Sequence, residues 1–397
     1  MRITNSMLAT NYLNNMRRNL NNMSHVQNQL ASGKEIQRGS DNPHVAVRSM
    51  QLNSEIDANN QFDTNIQSTT NWLDTTDTAL GEANNIMKRI NTLMVKAGDG
   101  AYSPDEISAI NDEVKEKVNE LTSVLNTSFD GNFIFGGTKS TSKPVTQDAS
   151  GKICYADKDG NPVSYNYTFT ANISSLSISA GDVKNIDSKT GVDTLIAQLK
   201  TVPTTPAADY TAAQNAINDL QKQPIAIRQI DTSLQTEISD GIVVDYNKTA
   251  TDILEFTNKS GVSVNVSDKL ADIVNCLNVA SGSATSPITL SDGTTIAATD
   301  SQTALSQING NLLGYCTDIS LNISKLRSNV GAMQNRMESS QKINEDQTYN
   351  MTSILSSTED IDFTEKTMEY SVMQTVYTAS LQTSAKVLTN TILDYLR

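Results

Sequence analysis

Two short segments of the sequence combine residue types that could hold a metal ion or a phosphate group. Asp157-Lys158-Asp159-Gly160 has the opening of a calcium-binding loop, but Thr168 stands where such a loop needs its bidentate Glu. Gly131–Gly137 has the glycines of half a phosphate-binding loop, but Gly137 stands where a Lys is required. We therefore expect a tight turn at the first segment and no nucleotide site at the second.

The residues that could act as nucleophiles or bases are equally sparse. The two His, His25 and His44, have no neighbouring Ser, Cys or carboxylate arrangement that specifies a catalytic triad. The three Cys (Cys154, Cys276 and Cys316) are too widely spaced for a CxxC zinc site, and their odd number excludes a disulfide framework. The sequence predicts no catalytic, metal-binding or cofactor-binding residue, and we expect no enzyme.

The composition excludes further classes of protein. The chain has 397 residues with 30 Lys plus Arg and 44 Asp plus Glu, which gives a net charge of −14. Binding to nucleic acid requires a basic face, so we expect no nucleic-acid partner. No apolar run approaches the ~18 residues of a membrane span. An apolar content of 37% favours narrow helical seams over one thick core. Composition alone predicts a cytoplasmic protein.

The prolines divide the chain into helical ends and a different middle. Six of the eight prolines lie between residues 140 and 305, whereas the flanks contain only Pro43 and Pro104. A proline inside a helix costs about 3 kcal/mol, so only the flanks can support long helices. In the middle, short alternating runs with turns between them predict an inserted outer α+β domain with an antiparallel sheet over 140–305.

The outermost helices have thin apolar stripes. The apolar stripe of the first helix has spacings of three and four residues and ends before Ser32-Gly33. It comprises Leu13, Met16, Leu20, Met23, Gln27 and Leu30. The stripe of the last helix comprises Met373, Tyr377, Leu381, Ala385, Leu388, Ile392 and Tyr395. The two helices could pair, but the pair would bury little. We therefore expect residues 1–43 and 356–397 to be a terminal assembly domain that is disordered in the monomer and folds against neighbouring copies.

The inner helices have fuller stripes. A helix of about 50 residues begins at Pro43 and keeps its apolar phase until Gly98 and Gly100. Another helix begins at the capping sequence Ser103-Pro104, and a long helix begins at Leu312. Residues 44–139 and 306–355 should form an inner bundle domain, with the outermost helices paired with each other and the inner helices paired likewise. Its predicted core comprises Leu73, Leu80, Met87, Ile319, Ile323, Leu326, Val330, Met333 and Met337. The predicted fold is mainly α, a long antiparallel bundle built from both chain ends with the α+β domain inserted.

The two ends resemble the terminal regions of the flagellin family. At the beginning the similar segments are 1–5, 29–34, 40–43 and the turn segment 131–137. At the other end they are 330–338 and 359–365. Each segment is a weak motif, but their order on these helices makes a specific set. The resemblance covers about 230 residues and leaves the middle unmatched.

Within the family, the start (Met7 and residues 17–23) and the end (residues 379–382 and 392–396) are similar to proteins that join the flagellar hook to the filament. The resemblance implies a structural junction protein that self-assembles by terminal-helix packing. It also implies export through the flagellar type III apparatus to the hook–filament junction, which replaces the expectation of a cytoplasmic protein. The alternatives are a filament flagellin subunit and an exported adhesin-like binding protein.

The resemblance also implies partners. They are further copies of the chain in a helical ring, a neighbouring hook-associated protein on the hook side, flagellin on the filament side, and an export chaperone. No cofactor is implied. Head-to-tail contacts between copies would produce a helical assembly rather than a closed dimer.

Overall fold

The computed structural model describes residues 5–99, 102–163, 165–222 and 225–389. The described α-helices are α1 (Asn5–Ser32), α2 (Pro43–Gly98), α3 (Pro104–Leu125), α4 (Lys189–Lys200), α5 (Ala207–Leu220), α6 (Ile225–Ile230), α7 (Ala250–Leu254), α8 (Val266–Ala280), α9 (Ser301–Gln307), α10 (Leu313–Glu359) and α11 (Phe363–Thr389). A π-helix, Ile308–Leu312, precedes α10. The mainly α fold with long helices at both ends is confirmed.

The described strands are short and lie between α3 and α9. They are β1 (Ser128–Phe129), β2 (Asn132–Phe133), β3 (Val145–Gln147), β4 (Ile153–Tyr155), β5 (Tyr165–Thr168), β6 (Val183–Ile186), β7 (Gln235–Ser239), β8 (Ile242–Asp245), β9 (Glu255–Thr257), β10 (Ser263–Asn265), β11 (Ile288–Thr289) and β12 (Thr295–Ile296). Each pairs antiparallel with its neighbour in sequence, so these strands form separate two-stranded ribbons. The antiparallel α+β character of the middle is confirmed, with several small sheets where one was expected.

The helix ends follow local chemistry. Ser103 accepts a hydrogen bond from the Glu106 backbone N–H, and the Glu106 side chain accepts one from the Ser103 backbone, which completes the capping box before α3. Gly33 terminates α1 with a φ of +72°, a left-handed conformation that glycine adopts without the steric cost of a Cβ. Pro43 is the first residue of α2, where its missing N–H costs no hydrogen bond.

The chain divides into two compact units. The terminal unit consists of Met1–Asp63 and Gln341–Arg397, and the core unit of Thr64–Ser340. Both α2 and α10 contribute residues to each unit. The three-part division expected from the sequence stays a prediction. In the core unit, buried residues of the middle such as Ile153 and Tyr155 share one hydrophobic cluster with α2, α3 and α10.

The core unit holds α2 against α10 by apolar and ionic contacts. Of the predicted core residues, Leu73, Leu80, Met87, Ile319, Ile323, Leu326, Val330 and Met337 are buried there, and Met333 packs against them half-buried. Arg327 donates two hydrogen bonds to the Asp77 carboxylate, at 2.9 and 2.8 Å. Ser320 donates to Asn84 Oδ1 at 2.7 Å. An uninterrupted apolar seam and a bidentate ion pair therefore fix the helix register.

A second, smaller core lies within the middle of the chain. It is formed by β5, β6, α4 and α5, with Phe169 and Leu220 among its buried members. The alternating runs on either side of the 157–160 turn also predict a strand–turn–strand unit over 153–167, and it is present in part. The chain reverses at the turn, the Val163 N–H donates to the Tyr155 carbonyl at 2.7 Å, and positions 156 and 162 form an antiparallel bridge. The longer pairings are those of β4 with β3 and of β5 with β6. The alternating pattern further predicts a strand over 175–178, and this prediction is wrong, since Ser174–Leu176 forms a 3₁₀ turn.

Candidate assembly surface

The first and last helices of the chain form an antiparallel pair within the terminal unit. Near one end of the pair, Tyr12 Oη donates a hydrogen bond to the Ser380 carbonyl oxygen. At the other end, Lys34 and Asp360 form an antiparallel backbone bridge. The pairing of the outermost helices, which the two apolar stripes predicted, is therefore present.

The chain reversals beside this pair are joined by backbone hydrogen bonds. The Glu35 N–H donates to the Glu359 carbonyl at 2.6 Å, and the Ile361 N–H donates to the Gly33 carbonyl at 3.1 Å. Gln29 Nε2 donates to the Glu35 carbonyl at 2.8 Å. The segments that follow α1 and α10 therefore hold one another in place, which fixes where α11 begins.

Glu359 is the charged centre of this junction. Its carboxylate accepts hydrogen bonds from Lys34 Nζ and from Ser49 Oγ on α2. Burial by itself would raise the pKa of Glu359, but these two donors favour the charged form and lower the pKa below its ordinary value. The residues that meet here are far apart in sequence, so no local pattern could have identified the cluster.

The contact face of α1 differs from the predicted stripe. Met16, Met23 and Leu30 are half-buried as expected, but the residues that alternate with them are Tyr12, Asn19 and Val26. Leu13, Leu20 and Gln27 are exposed. Because a helix has 3.6 residues per turn, either set can complete a stripe around the same three anchors. The sequence pattern favoured the two leucines because they are apolar, whereas in the structure the flank that contains Tyr12, Asn19 and Val26 faces α11.

On α11, Met373 and Tyr377 lie half-buried in the pair, whereas Leu381 and Ala385 are exposed. The side chain of Leu388, together with Ile392 and Tyr395, lies outside the described residues. The roles of all these residues in assembly stay predictions.

The terminal unit, in the part that the structure describes, has more exposed than buried large apolar side chains. Among its described residues, only Val26 and Leu52 are buried apolar side chains. We call the exposed set the terminal apolar surface; it comprises Met7, Leu13, Leu20, Val47, Met50, Ile343, Tyr349, Ile354, Phe363, Met368, Val372, Val376 and Leu381. Apolar residues exposed in such number on one unit are characteristic of an interaction surface. The sequence interpretation missed Met368, Val372 and Val376, although their spacing of four residues was visible.

The segments with possible metal or phosphate chemistry have structural roles. Asp157 Oδ1 accepts backbone hydrogen bonds from Asp159 and Asn161, both at 2.9 Å, as in a tight turn. Gly137 has a φ of +56°, and the next N–H, that of Thr138, donates to the Gln229 carbonyl at 2.9 Å. No group of three His, Cys, Asp or Glu side chains suited to a metal ion occurs among the described residues.

The thiols and imidazoles are not arranged for catalysis either. His25 and His44 are exposed. Burial raises the pKa of the Cys316 thiol to about 12 and that of the half-buried Cys154 thiol to about 11. Cys276 is buried as well, and burial raises the pKa of its thiol to about 12. These thiols therefore stay protonated near neutral pH and are weak nucleophiles. None of the described helices is long and apolar enough to cross a membrane.

Similar proteins of known sequence are flagellins. The flagellin of Clostridium tyrobutyricum is 29% identical over 140 residues, which are 35% of this chain and 37% of that protein. The flagellin of Salmonella dublin is 26% identical over 151 residues, 38% of this chain and 28% of that protein. The similarity therefore spans about a third of the length of these relatives.

Solved structures that align with this chain include two flagellar proteins. FlgL of Xanthomonas campestris aligns with a TM-score of 0.48 at 13% identity, over 77% of this chain and 99% of that one. The flagellar junction protein FlgL of Legionella pneumophila aligns with a TM-score of 0.46 at 14% identity, over 80% of this chain and 100% of that one.

Family models match both ends of the chain. Residues 3–140 match the bacterial flagellin N-terminal helical region, and residues 313–396 match the bacterial flagellin C-terminal helical region. The two matches cover the helices that form the terminal pair and those that form the α2–α10 seam. Because together they account for more than half of the residues, the chain belongs to the bacterial flagellin family.

Proposed function

We propose that this chain is a structural adapter of the bacterial flagellum, which joins hook to filament and assembles through its terminal helices. The observation that carries the proposal is the terminal apolar surface. A unit that buries only Val26 and Leu52 among its described apolar residues gains little free energy from its own packing. Helices with so little burial are marginal in water, so further contacts are needed to stabilise them. Neighbouring subunits would supply those contacts.

The position at the junction rests on the two ends of the sequence. Met7 and residues 17–23 near the beginning, and residues 379–382 and 392–396 near the end, are similar to the corresponding segments of junction proteins. The partners that this position implies are a hook-associated protein on one side and flagellin on the other. A chaperone would accompany export by the type III apparatus.

A filament subunit is the second candidate. It is favoured by the similar proteins of known sequence, which are flagellins themselves. Both candidates use the terminal helices for assembly, and both are structural. That the chain has no catalytic activity is part of the proposal, and it is supported by membership in a family of structural proteins.

Electron microscopy of a deletion strain distinguishes the candidates. Loss of a junction protein should leave hooks without filaments while flagellin accumulates in the medium, and the full chain supplied in trans should restore filaments. Gold-labelled antibody should then mark a narrow band at the hook end. If the deletion strain instead releases no flagellin, and the label in the complemented strain runs along the whole filament, the chain is a filament subunit. Intact filaments in the deletion strain would overturn both and favour an adhesin-like protein.

A further inference from the structure

One exposed stripe runs along α1 beside its contact face. It consists of Leu13, Arg17 and Leu20, and we call it the first stripe. The two leucines are 54% and 44% exposed. Arg17 is exposed too, and it forms no hydrogen bond or ion pair with the described part of the chain. Residues 1–34 contain no Asp or Glu that could neutralise it locally.

A second exposed stripe runs along α11, and we call it the last stripe. It consists of Glu365, Met368, Val372 and Val376. The three apolar side chains are between 44% and 63% exposed. The Glu365 carboxylate has no partner among the described side chains, since the nearby ion pair joins Lys366 to Glu369. Within the described part of the chain, the last stripe therefore combines apolar surface with an acid that has no ionic partner, as the first stripe combines it with a base that has none.

The two stripes lie on opposite sides of the helix pair. At about 100° per residue, the first stripe is displaced by roughly 80–140° from the centre of the contact face of α1. By the same count the last stripe is displaced by roughly 80–160° from the contact face of α11, in the opposite rotational sense. When two antiparallel helices lie side by side, residues rotated away from their contact faces in the same sense point to the same side of the pair. The two stripes are rotated in opposite senses, so they point to opposite sides. One copy therefore presents the two stripes in opposite directions.

We propose that the first stripe of one copy docks against the last stripe of the next copy, with Arg17 facing the Glu365 carboxylate. This inference rests on the proposed assembly through terminal helices and specifies the surfaces that meet. The occupant is a second copy because the charges are complementary between unlike stripes only. Two first stripes would bring Arg17 against Arg17, and two last stripes would bring Glu365 against Glu365. A contact between unlike surfaces on opposite sides is heterologous, so it propagates an open helical assembly.

Cysteine cross-linking in assemblies of the full chain tests which surfaces meet. The background carries Cys154→Ser, because Cys154 is the only native thiol that is not fully buried. Met368→Cys chains are mixed with Leu13→Cys chains or with Leu20→Cys chains, concentrated until they sediment, and oxidised. Met368 lies one helical turn from the acidic residue of its stripe, and the two leucines lie one turn on either side of the basic residue of theirs. One of the two mixtures therefore brings a pair of Cys face to face whether the docked helices run parallel or antiparallel.

Thr367→Cys is the matched control, since Thr367 is exposed at the same level of α11 but on its other side. We expect a disulfide-linked dimer from one of the two Met368→Cys mixtures, and not from the corresponding Thr367→Cys mixture or from any variant alone.

The cross-linking outcomes separate this inference from the proposed function. If the chains sediment but the Thr367→Cys mixtures cross-link as well as the Met368→Cys mixtures, the docking of the two stripes is wrong while assembly stands. If the full chain neither sediments nor joins filaments in cells, the proposed assembly fails and this inference fails with it.

Charge reversal tests the ionic part of the contact. Arg17→Glu and Glu365→Arg should each raise the concentration needed for sedimentation by about two- to fivefold, the range typical of exposed ion pairs. The double variant should recover most of that loss. Arg18→Glu is the control, because it makes the same charge change on the opposite flank of α1. An Arg18→Glu effect equal to that of Arg17→Glu, or a double variant no better than the single ones, would overturn the pairing of Arg17 with Glu365.

Discussion

Replacing Leu80 by Ala should lower the melting temperature of the core unit by several degrees. Leu80 is fully buried on α2, in the cluster that α10 and α3 complete. Truncating such a side chain costs about 2–5 kcal/mol, because it removes apolar burial and leaves a cavity. The core unit spans Thr64–Ser340. An unfolding entropy of about 2.1 cal/mol/K per residue gives roughly 0.6 kcal/mol/K for a unit of this length. The expected shift is therefore about 3–9 °C.

Leu20→Ala provides the matched control for this prediction. It makes the same chemical change within a helix, but Leu20 is exposed and belongs to the terminal unit. Its effect on the same transition should stay below about 1 °C, as is usual for surface substitutions. The assay is differential scanning calorimetry of both variants at low micromolar concentration, where assembly does not contribute. Equal shifts for the two variants would refute the reasoning that the free energy of the monomer resides in the core unit.

Three further predictions follow from particular contacts. Acidification should loosen the terminal unit. Burial by itself would raise the pKa of Glu359, but its hydrogen bonds lower the folded-state pKa below the ordinary value. The stability that these hydrogen bonds provide is therefore present at neutral pH and is lost as the pH falls through the folded-state pKa. Protease sensitivity of the termini should therefore rise on acidification, and Glu359→Gln should weaken that dependence. Gly137→Ala should destabilise the chain more than Gly131→Ala in thermal melts. Both positions have positive φ, but a Cβ at 137 would meet two backbone oxygens at 2.4 Å, whereas nothing lies within 4 Å at 131. Trp72, the single Trp, is buried, so its fluorescence should shift to the red only when the core unit unfolds, and deletion of residues 1–43 should leave its emission maximum unchanged.

Assembly at the terminal unit and stability of the core unit have different physical origins. In the core unit, the α2–α10 seam combines buried side chains with the bidentate contact of Arg327 to Asp77. In the terminal unit, the free energy available from internal packing is small, so formation of the pair couples readily to contacts with other subunits. Substitutions on α1 should therefore affect assembly first, and substitutions in the seam should affect the fold first.

The sequence by itself determined the features whose causes are local. The capping box at Ser103, the end of α1 at Gly33 and the start of α2 at Pro43 each depend on a few consecutive residues, and each is observed as predicted. The inner seam could also be predicted, because one face of α10 is apolar at every step from Ile319 to Met337 and no other face competes. Family membership followed from the same terminal segments.

Only the tertiary structure decided the features that depend on contacts between distant residues. The half-buried positions Met16 and Met23 were predictable, but their neighbours on the contact face were not, because a helical stripe with few anchors can turn to either flank. Strand pairing in the middle was only partly predictable: the reversal after β4 is local and is present, but the pairing of β5 with β6 joins segments that no local pattern connects. The meeting of Lys34 and Ser49 at Glu359 joins residues more than three hundred positions apart, a proximity that no local pattern encodes.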